Sequence, residues 1–267
     1  SIIVADGNNY PDALAGSYLA KVKKAPLILV DRSVASEKMI GEYIEKNLSD
    51  EGTVYLLGGS DVVTERFEKS LKGIDVKRLA GDTRYETNLE ILNEAKASKE
   101  DLLACTGEGF ADSLSASAVG KPILLVDNRG LTKAQKTYLD RANVQDIYLI
   151  GGADVVSDKV GKELKSYDKD SKTERIAGDN RYKTSVAVAK AFFPDKCDTA
   201  VLAYGMKFPD GLAGGPLAIS MGSPLLLVED TAYADAKDYS QKTGINKLVV
   251  LGDTGVISDQ TARAFFQ

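Results

Sequence analysis

Two decapeptides in the chain share the skeleton R-[L/I]-A-G-D-x-R-Y-x-T. RLAGDTRYET begins at Arg78 and RIAGDNRYKT at Arg175, 97 positions apart. Each brings together two guanidinium groups, a carboxylate and a phenol. Arg84 and Arg181 can grip phosphate or carboxylate oxygens with a planar fork, which a lysine matches less well. The same arginines can instead pair with an aspartate of a neighbouring turn and fix geometry. Shared at a seam between modules, they would do both. Arg78 and Arg175, at strand-like ends, carry the same choice, and Tyr85 and Tyr182 follow the second arginines.

A second constellation occurs three times. YPDAL starts at Tyr10, FADSL at Phe110 and FPDGL at Phe208, which places Asp12, Asp112 and Asp210 just after a strand and at the start of a helix. Aspartate there is expected to cap the helix. A helix N-terminus at the carboxyl edge of a parallel sheet also suits an anion. Asp would repel that anion unless an arginine neutralised it, so a cap or an acceptor for a sugar hydroxyl is the better expectation. Paired glycines, Gly58 with Gly59 and Gly151 with Gly152, follow strand-like runs. They let backbone N–H groups approach a ligand, or simply turn the chain sharply. The G-x-G-x-x-G and P-loop patterns are missing.

What is missing also constrains the chemistry. The 267 residues include no His and no Trp, so the commonest general base and metal ligand are lacking. Cys105 and Cys197 have no zinc-like spacing and read as buried or half-buried thiols. There is no G-x-S-x-G. Asp168–Asp170 reads as part of a polar linker rather than a carboxylate cluster. Although 39 acidic residues could supply a glycosidase pair, a thrice-repeated site is the mark of binding. No enzyme activity, cofactor or metal is therefore expected. A net charge of −5 argues against nucleic acid as a partner. No apolar run is long enough to cross a membrane, and the first residues do not read as a signal peptide.

These residues need elements to hold them, and the elements repeat too. PLILV (from Pro26), PILLV (from Pro122) and PLLLV (from Pro224) read as strands buried on both faces, and helical patterns separate the strand-like runs. The expected fold is α/β: three tandem Rossmann-like, flavodoxin-like modules with parallel sheets, spanning 1–77, 78–174 and 175–267. A decapeptide leads modules two and three. Its counterpart for module one would lie before residue 1, so the chain is expected to start inside its first module, as a piece of a longer polypeptide.

With the threefold repeat in view, the whole chain resembles the clostridial cell-wall-binding type 2 repeat of surface-layer and related cell-wall proteins. The residues that carry the resemblance are the decapeptide, the [F/Y]-[P/A]-D-x-L turn, P-[L/I]-[I/L]-L-V and [L/I]-G-G-x-x-V-[V/I]. The resemblance implies three modules packed about a pseudo-threefold axis in a secreted, wall-located protein. It implies non-covalent anchoring to the wall through an anionic, teichoic-acid-like secondary polysaccharide. It also ties the ILL run to polymer binding: Leu27, Ile28 and Leu29; Ile123, Leu124 and Leu125; Leu225, Leu226 and Leu227. Neighbouring surface-layer proteins are possible further partners, and S-layer assembly or service as the accessory domain of a wall hydrolase are the alternatives. Module three carries Asp253 where the other two have the second glycine.

Overall fold

A computed structural model describes residues 1–169 and 172–267, with Asp170 of the DKD run outside the described residues. The first sheet contains β1 (Ile2–Asp6), β2 (Leu27–Val30), β3 (Thr53–Leu57) and β4 (Asp75–Leu79), in the order β2-β1-β3-β4. The second contains β5 (Leu102–Thr106), β6 (Ile123–Val126), β7 (Ile147–Ile150) and β8 (Glu174–Ile176), in the order β6-β5-β7-β8. In the third, β9 (Thr199–Tyr204) lies between β10 (Leu225–Val228) and β11 (Lys247–Val250). Every pairing is parallel, as strands alternating with helices require. Arg78 pairs with Leu56 and Arg175 with Leu149. The sequence repeat thus begins inside the last strand of the preceding sheet.

Strands buried on both faces divide their side chains between two cores. In the first sheet Ile3 and Ala5 face a central core, while Ile2 and Val4 face an outer one with α2 (Val34–Asn47) and α3 (Glu65–Ser70). Val201 and Ala203 of the third sheet join the same central core. Ala200 and Leu202 face outward, towards α10 (Ala234–Thr243). In the second sheet Leu102 and Ala104 face α6 (Lys133–Ala142) and α7 (Asp158–Lys165), while Leu103 and Cys105 face inward. Most outer helices start on a side-chain cap: Ser33, Thr64, Thr132, Ser157 and, for α11 (Asp259–Ala264), Ser258. Each cap stabilises its helix by about 1 kcal/mol.

The inner helices α1 (Pro11–Lys23), α5 (Ala111–Ala116) and α9 (Pro209–Met221) are different. Their N-cap residues are Tyr10, Phe110 and Phe208, and none makes a side-chain cap hydrogen bond. The three rings instead meet one another, with centroids 6.0, 5.6 and 5.4 Å apart. This triangle marks the pseudo-threefold axis. Small residues let the helices close around it: a Cβ at Gly215 of α9 would lie 2.1 Å from Oγ of Ser117.

Two further helices cross from one module to the next. α4 (Arg84–Glu94) packs against α1 and β6, and α8 (Arg181–Phe192) packs against α5 and β10. Arg84 and Arg181 are their first residues, so each helix opens on the second arginine of its decapeptide. Thr83 caps α4 with a full capping box, and Asn180 caps α8. Asp168 is no solvated linker residue: it is buried and accepts hydrogen bonds from Ile147 N at 3.2 Å and Thr173 Oγ1 at 2.9 Å. Cys105 is buried and Cys197 half-buried, both as free thiols.

Candidate functional site: clefts at the module seams

In an open parallel sheet the crevice lies beyond the carboxyl ends of the strands, where the strand order reverses. In module one that point is between β1 and β3. The N-terminus of α1 and the Gly58–Gly59 turn border it, and the start of α4 closes the far side. The resulting cleft, of about 160 Å³, is lined by Asp12, Gly59, Asp61, Gly81, Thr83 and Arg84, among others. The same cleft recurs one module on, larger at about 420 Å³, between Asp112, Gly152, Asp154, Gly178, Asn180 and Arg181. Tyr10 and Phe110 also line the larger cleft.

The second arginine of each decapeptide is the part that spans the seam. Arg84 Nη1 donates to the carbonyl of Gly107 and to Tyr10 Oη at 3.4 Å, with its guanidinium 6.0 Å from the centre of the Tyr10 ring. Arg181 Nη1 donates to Gly205 O at 2.7 Å, with its guanidinium 5.6 Å from the centre of the Phe110 ring. Such stacking on an aromatic face suits a guanidinium. Among the described residues, Nε and Nη2 of both arginines make no hydrogen bond. Tyr85 donates to Glu108 Oε1 at 2.7 Å. Its ring and that of Tyr182 lie against Gly107 and Gly205, where a Cβ would sit 2.6 and 2.4 Å from the nearest ring carbon.

The aspartates are not caps. Pro11 and Pro209 take the first helical position of α1 and α9 and Ala111 that of α5, so Asp12, Asp112 and Asp210 fall one residue further, in the first turn. There they complement the helix dipole, and their carboxylates lie against the glycine turns. Burial pushes Asp12 up to about 6; Arg84 opposes the rise, while Asp61 and Asp6 add to it. Burial likewise raises Asp112, against the pull of the Thr184 hydroxyl and Arg181, with Asp154 adding to the rise. Asp210 is exposed.

Other expected binding residues are occupied elsewhere. Arg78 donates from Nη1 to Gly58 O at 2.8 Å and from Nη2 to Glu68 at 2.8 Å. Arg175 repeats this with Gly151 O at 2.8 Å and Asp158 at 2.9 Å. Both tie an edge strand to the glycine turn. Gly58 and Gly151 give their N–H groups to Leu79 O and Ile176 O, both at 2.9 Å, so those donors do not face the cleft. Gly59 and Gly152 line it.

Two of the three ILL strands offer a polymer no side-chain surface. Ile123, Leu124, Leu125, Leu225, Leu226 and Leu227 are each at most 1% exposed; Leu27 is buried, and Ile28 and Leu29 are half-buried. They are sheet core, and their backbone edges carry the seam. Asn88 of α4 donates from Nδ2 to Ile123 O at 2.8 Å and accepts at Oδ1 from Leu125 N at 2.9 Å. Ser185 of α8 accepts from Leu227 N at 3.1 Å. Sequence reasoning missed Asn88 and Ser185, although both sit four residues after the helix-opening arginine.

The chain matches the family Cell wall binding domain 2 (CWB2) over residues 1–68, 78–161 and 175–262. It belongs to that family. Its modules are cell-wall-binding modules, each copy of the match covering most of one sheet and its helices. Cwp8 from Clostridium difficile superimposes with a TM-score of 0.88 at 26% identity, over 99% of this chain and 46% of that one. Cwp6 from the same organism superimposes at 0.87 with 20% identity, over 99% and 43%, and supports the fold. Among curated relatives, the N-acetylmuramoyl-L-alanine amidase LytC of Bacillus subtilis is 24% identical over 97% of this chain. The Amidase enhancer of the same bacterium is 28% identical over 97%. This chain spans 52% of the first relative and 35% of the second. Among the described residues no helix is long and apolar enough to cross a membrane.

Proposed function

We propose that this CWB2 region anchors a secreted protein to the wall by holding an anionic secondary polysaccharide in the seam clefts. The observation that carries this reading is the repetition of one cleft at two seams, each with a guanidinium whose Nε and Nη2 make no hydrogen bond among the described residues. Carboxylates outnumber arginines in both clefts: Asp12, Asp61 and Asp82 line the first with Arg84, and Glu108, Asp112, Asp154 and Asp179 line the second with Arg181. A phosphate is therefore tolerated only at the outer guanidinium edge. The aspartates suit sugar hydroxyls, which can donate to them. Two weak sites on one rigid body give avidity on a repetitive polymer. The region acts as a binding module rather than an enzyme.

The experiment is co-sedimentation with Gram-positive wall sacculi before and after the phosphate-linked polymer is stripped, at low and high salt. Loss of binding on stripping supports the reading; binding indifferent to stripping would replace the polymer with peptidoglycan or protein. Salt should weaken binding only modestly, since few charge contacts are exposed to screening. The matches to LytC and the Amidase enhancer, both extending well beyond the shared region, favour a second reading. There the same anchor serves as the accessory region of a wall hydrolase.

A further inference from the structure

The two seam clefts are built alike but differ in size, at about 160 Å³ in the first and about 420 Å³ in the second. Pockets that enclose a small molecule run from about 300 Å³ upward. The second cleft reaches that range and the first does not. Their polar walls do not account for the difference. Asp12 and Asp112, Asp61 and Asp154, Asp82 and Asp179, and Thr87 and Thr184 stand at equivalent places.

The difference falls on the two residues that flank the axis ring. The first cleft has Asn9 and Pro11 on either side of Tyr10, and the second has Gly109 and Ala111 on either side of Phe110. Module three carries Lys207 and Pro209 around Phe208, so module two alone is small at both places. The fold demands neither small residue. Gly109 does not lie in the left-handed region, and a Cβ there would come no nearer than 3.6 Å, to Thr106 Cγ2. That is an ordinary contact, unlike the 2.6 Å that a Cβ at Gly107 would meet. Ala111 opens α5 at the position that Pro11 and Pro209 take in α1 and α9. Proline suits that position, and the preceding residue has nearly the same φ in all three modules, −97°, −98° and −102°. Larger residues would fit the fold at both places; only the cleft would lose room.

We propose that the second cleft encloses one sugar unit of a wall glycan, a unit with hydroxyls and no acidic group, and that Gly109 and Ala111 determine this by leaving it room. This rests on the seam clefts being where a wall glycan is held, not on which glycan it is. Glu108, Asp112, Asp154 and Asp179 line the second cleft beside a single arginine, Arg181. An acidic sugar is repelled there, while hydroxyls find charged acceptors. The first cleft keeps its guanidinium edge and encloses no ring. The two sites on the body are therefore unequal.

The test gives the second cleft the side chains of the first. Gly109→Asn and Ala111→Pro are each compared with the parent chain for Tm and for co-sedimentation with intact and stripped sacculi. Each should lower sacculus binding about tenfold, since it builds a clash against the sugar. The Tm should hold steady or, for Ala111→Pro, rise slightly. Asp154→Asn should weaken binding about threefold, because a sugar hydroxyl loses a charged acceptor. Parent-like binding by Gly109→Asn and Ala111→Pro would overturn the proposal, as would a Tm that falls in step with binding or a parent that binds neither preparation. Unchanged or stronger binding by Asp154→Asn would overturn the class of sugar. If the parent binds stripped sacculi equally well and the two cleft variants still bind poorly, the sugar site stands and the secondary-polymer reading fails.

Discussion

Gly58 and Asp12, from motifs far apart in sequence, touch: a Cβ at Gly58 would lie 2.5 Å from Oδ2 of Asp12. Gly151 and Asp112 repeat the contact at 2.6 Å, and Gly252 and Asp210 at 2.9 Å. The glycine also has φ of +97°, +102° and +98° at these positions. Backbone conformation and carboxylate together demand glycine there. Gly58→Ala and Gly151→Ala should each destabilise by about 2 kcal/mol or more, from strain and lost packing. Gly252→Ala should cost less, because the exposed Asp210 can turn away. Urea unfolding midpoints check the ranking.

Asp12 makes stability depend on pH in an unusual direction. Its folded pKa of about 6 stands above the ordinary 3.8, so between these values the folded state binds the extra proton. Stability therefore falls as pH rises from about 4 to about 6, and the full penalty applies above that. Asp12→Asn mimics the protonated form. It should gain about 2 kcal/mol at pH 7.5 and little at pH 4, as read by urea unfolding at both values. Equal gains at the two pH values would remove this assignment.

Asn88 is 0% exposed and satisfies both a carbonyl and an N–H of the β6 edge. Asn88→Ala should cost about 3 kcal/mol, since two buried backbone groups lose their partners. Ser185→Ala removes one bond and should cost about half as much. Faster amide exchange confined to Leu125 or Leu227 would locate the damage.

Much of this was legible before the fold was known. Three modules and parallel strands such as PILLV follow from runs of buried residues and from the repeat itself, while a seam position for the arginines was one of several alternatives. The roles of Asp12 and Asn88 were not legible. Aspartate after a proline reads as a cap until Tyr10 is seen to occupy that position with its ring turned to the axis. Asn88 reads as one more polar residue on a helix, because the edge it clasps lies 35 residues ahead. Contacts across a seam leave no periodic trace in a local stretch of chain.

Arg84 and Arg181 separate structure from binding. Arg181→Lys keeps the charge and loses the fork, so sacculus binding should fall about tenfold while the urea midpoint moves little. Changing both arginines to Lys should lower binding far more than either change alone, because avidity is lost with the second site. A parallel fall in stability and binding would assign these residues to the scaffold alone.

The triangle of Tyr10, Phe110 and Phe208 sets the unit in which such a protein can grow or shrink. One module alone would expose its ring and its inner helix to water, and two would leave an open wedge. Duplication or deletion by single modules is therefore penalised at every step, whereas gain or loss of a whole triplet is not. The stoichiometry of the repeat is written into three aromatic side chains at one point.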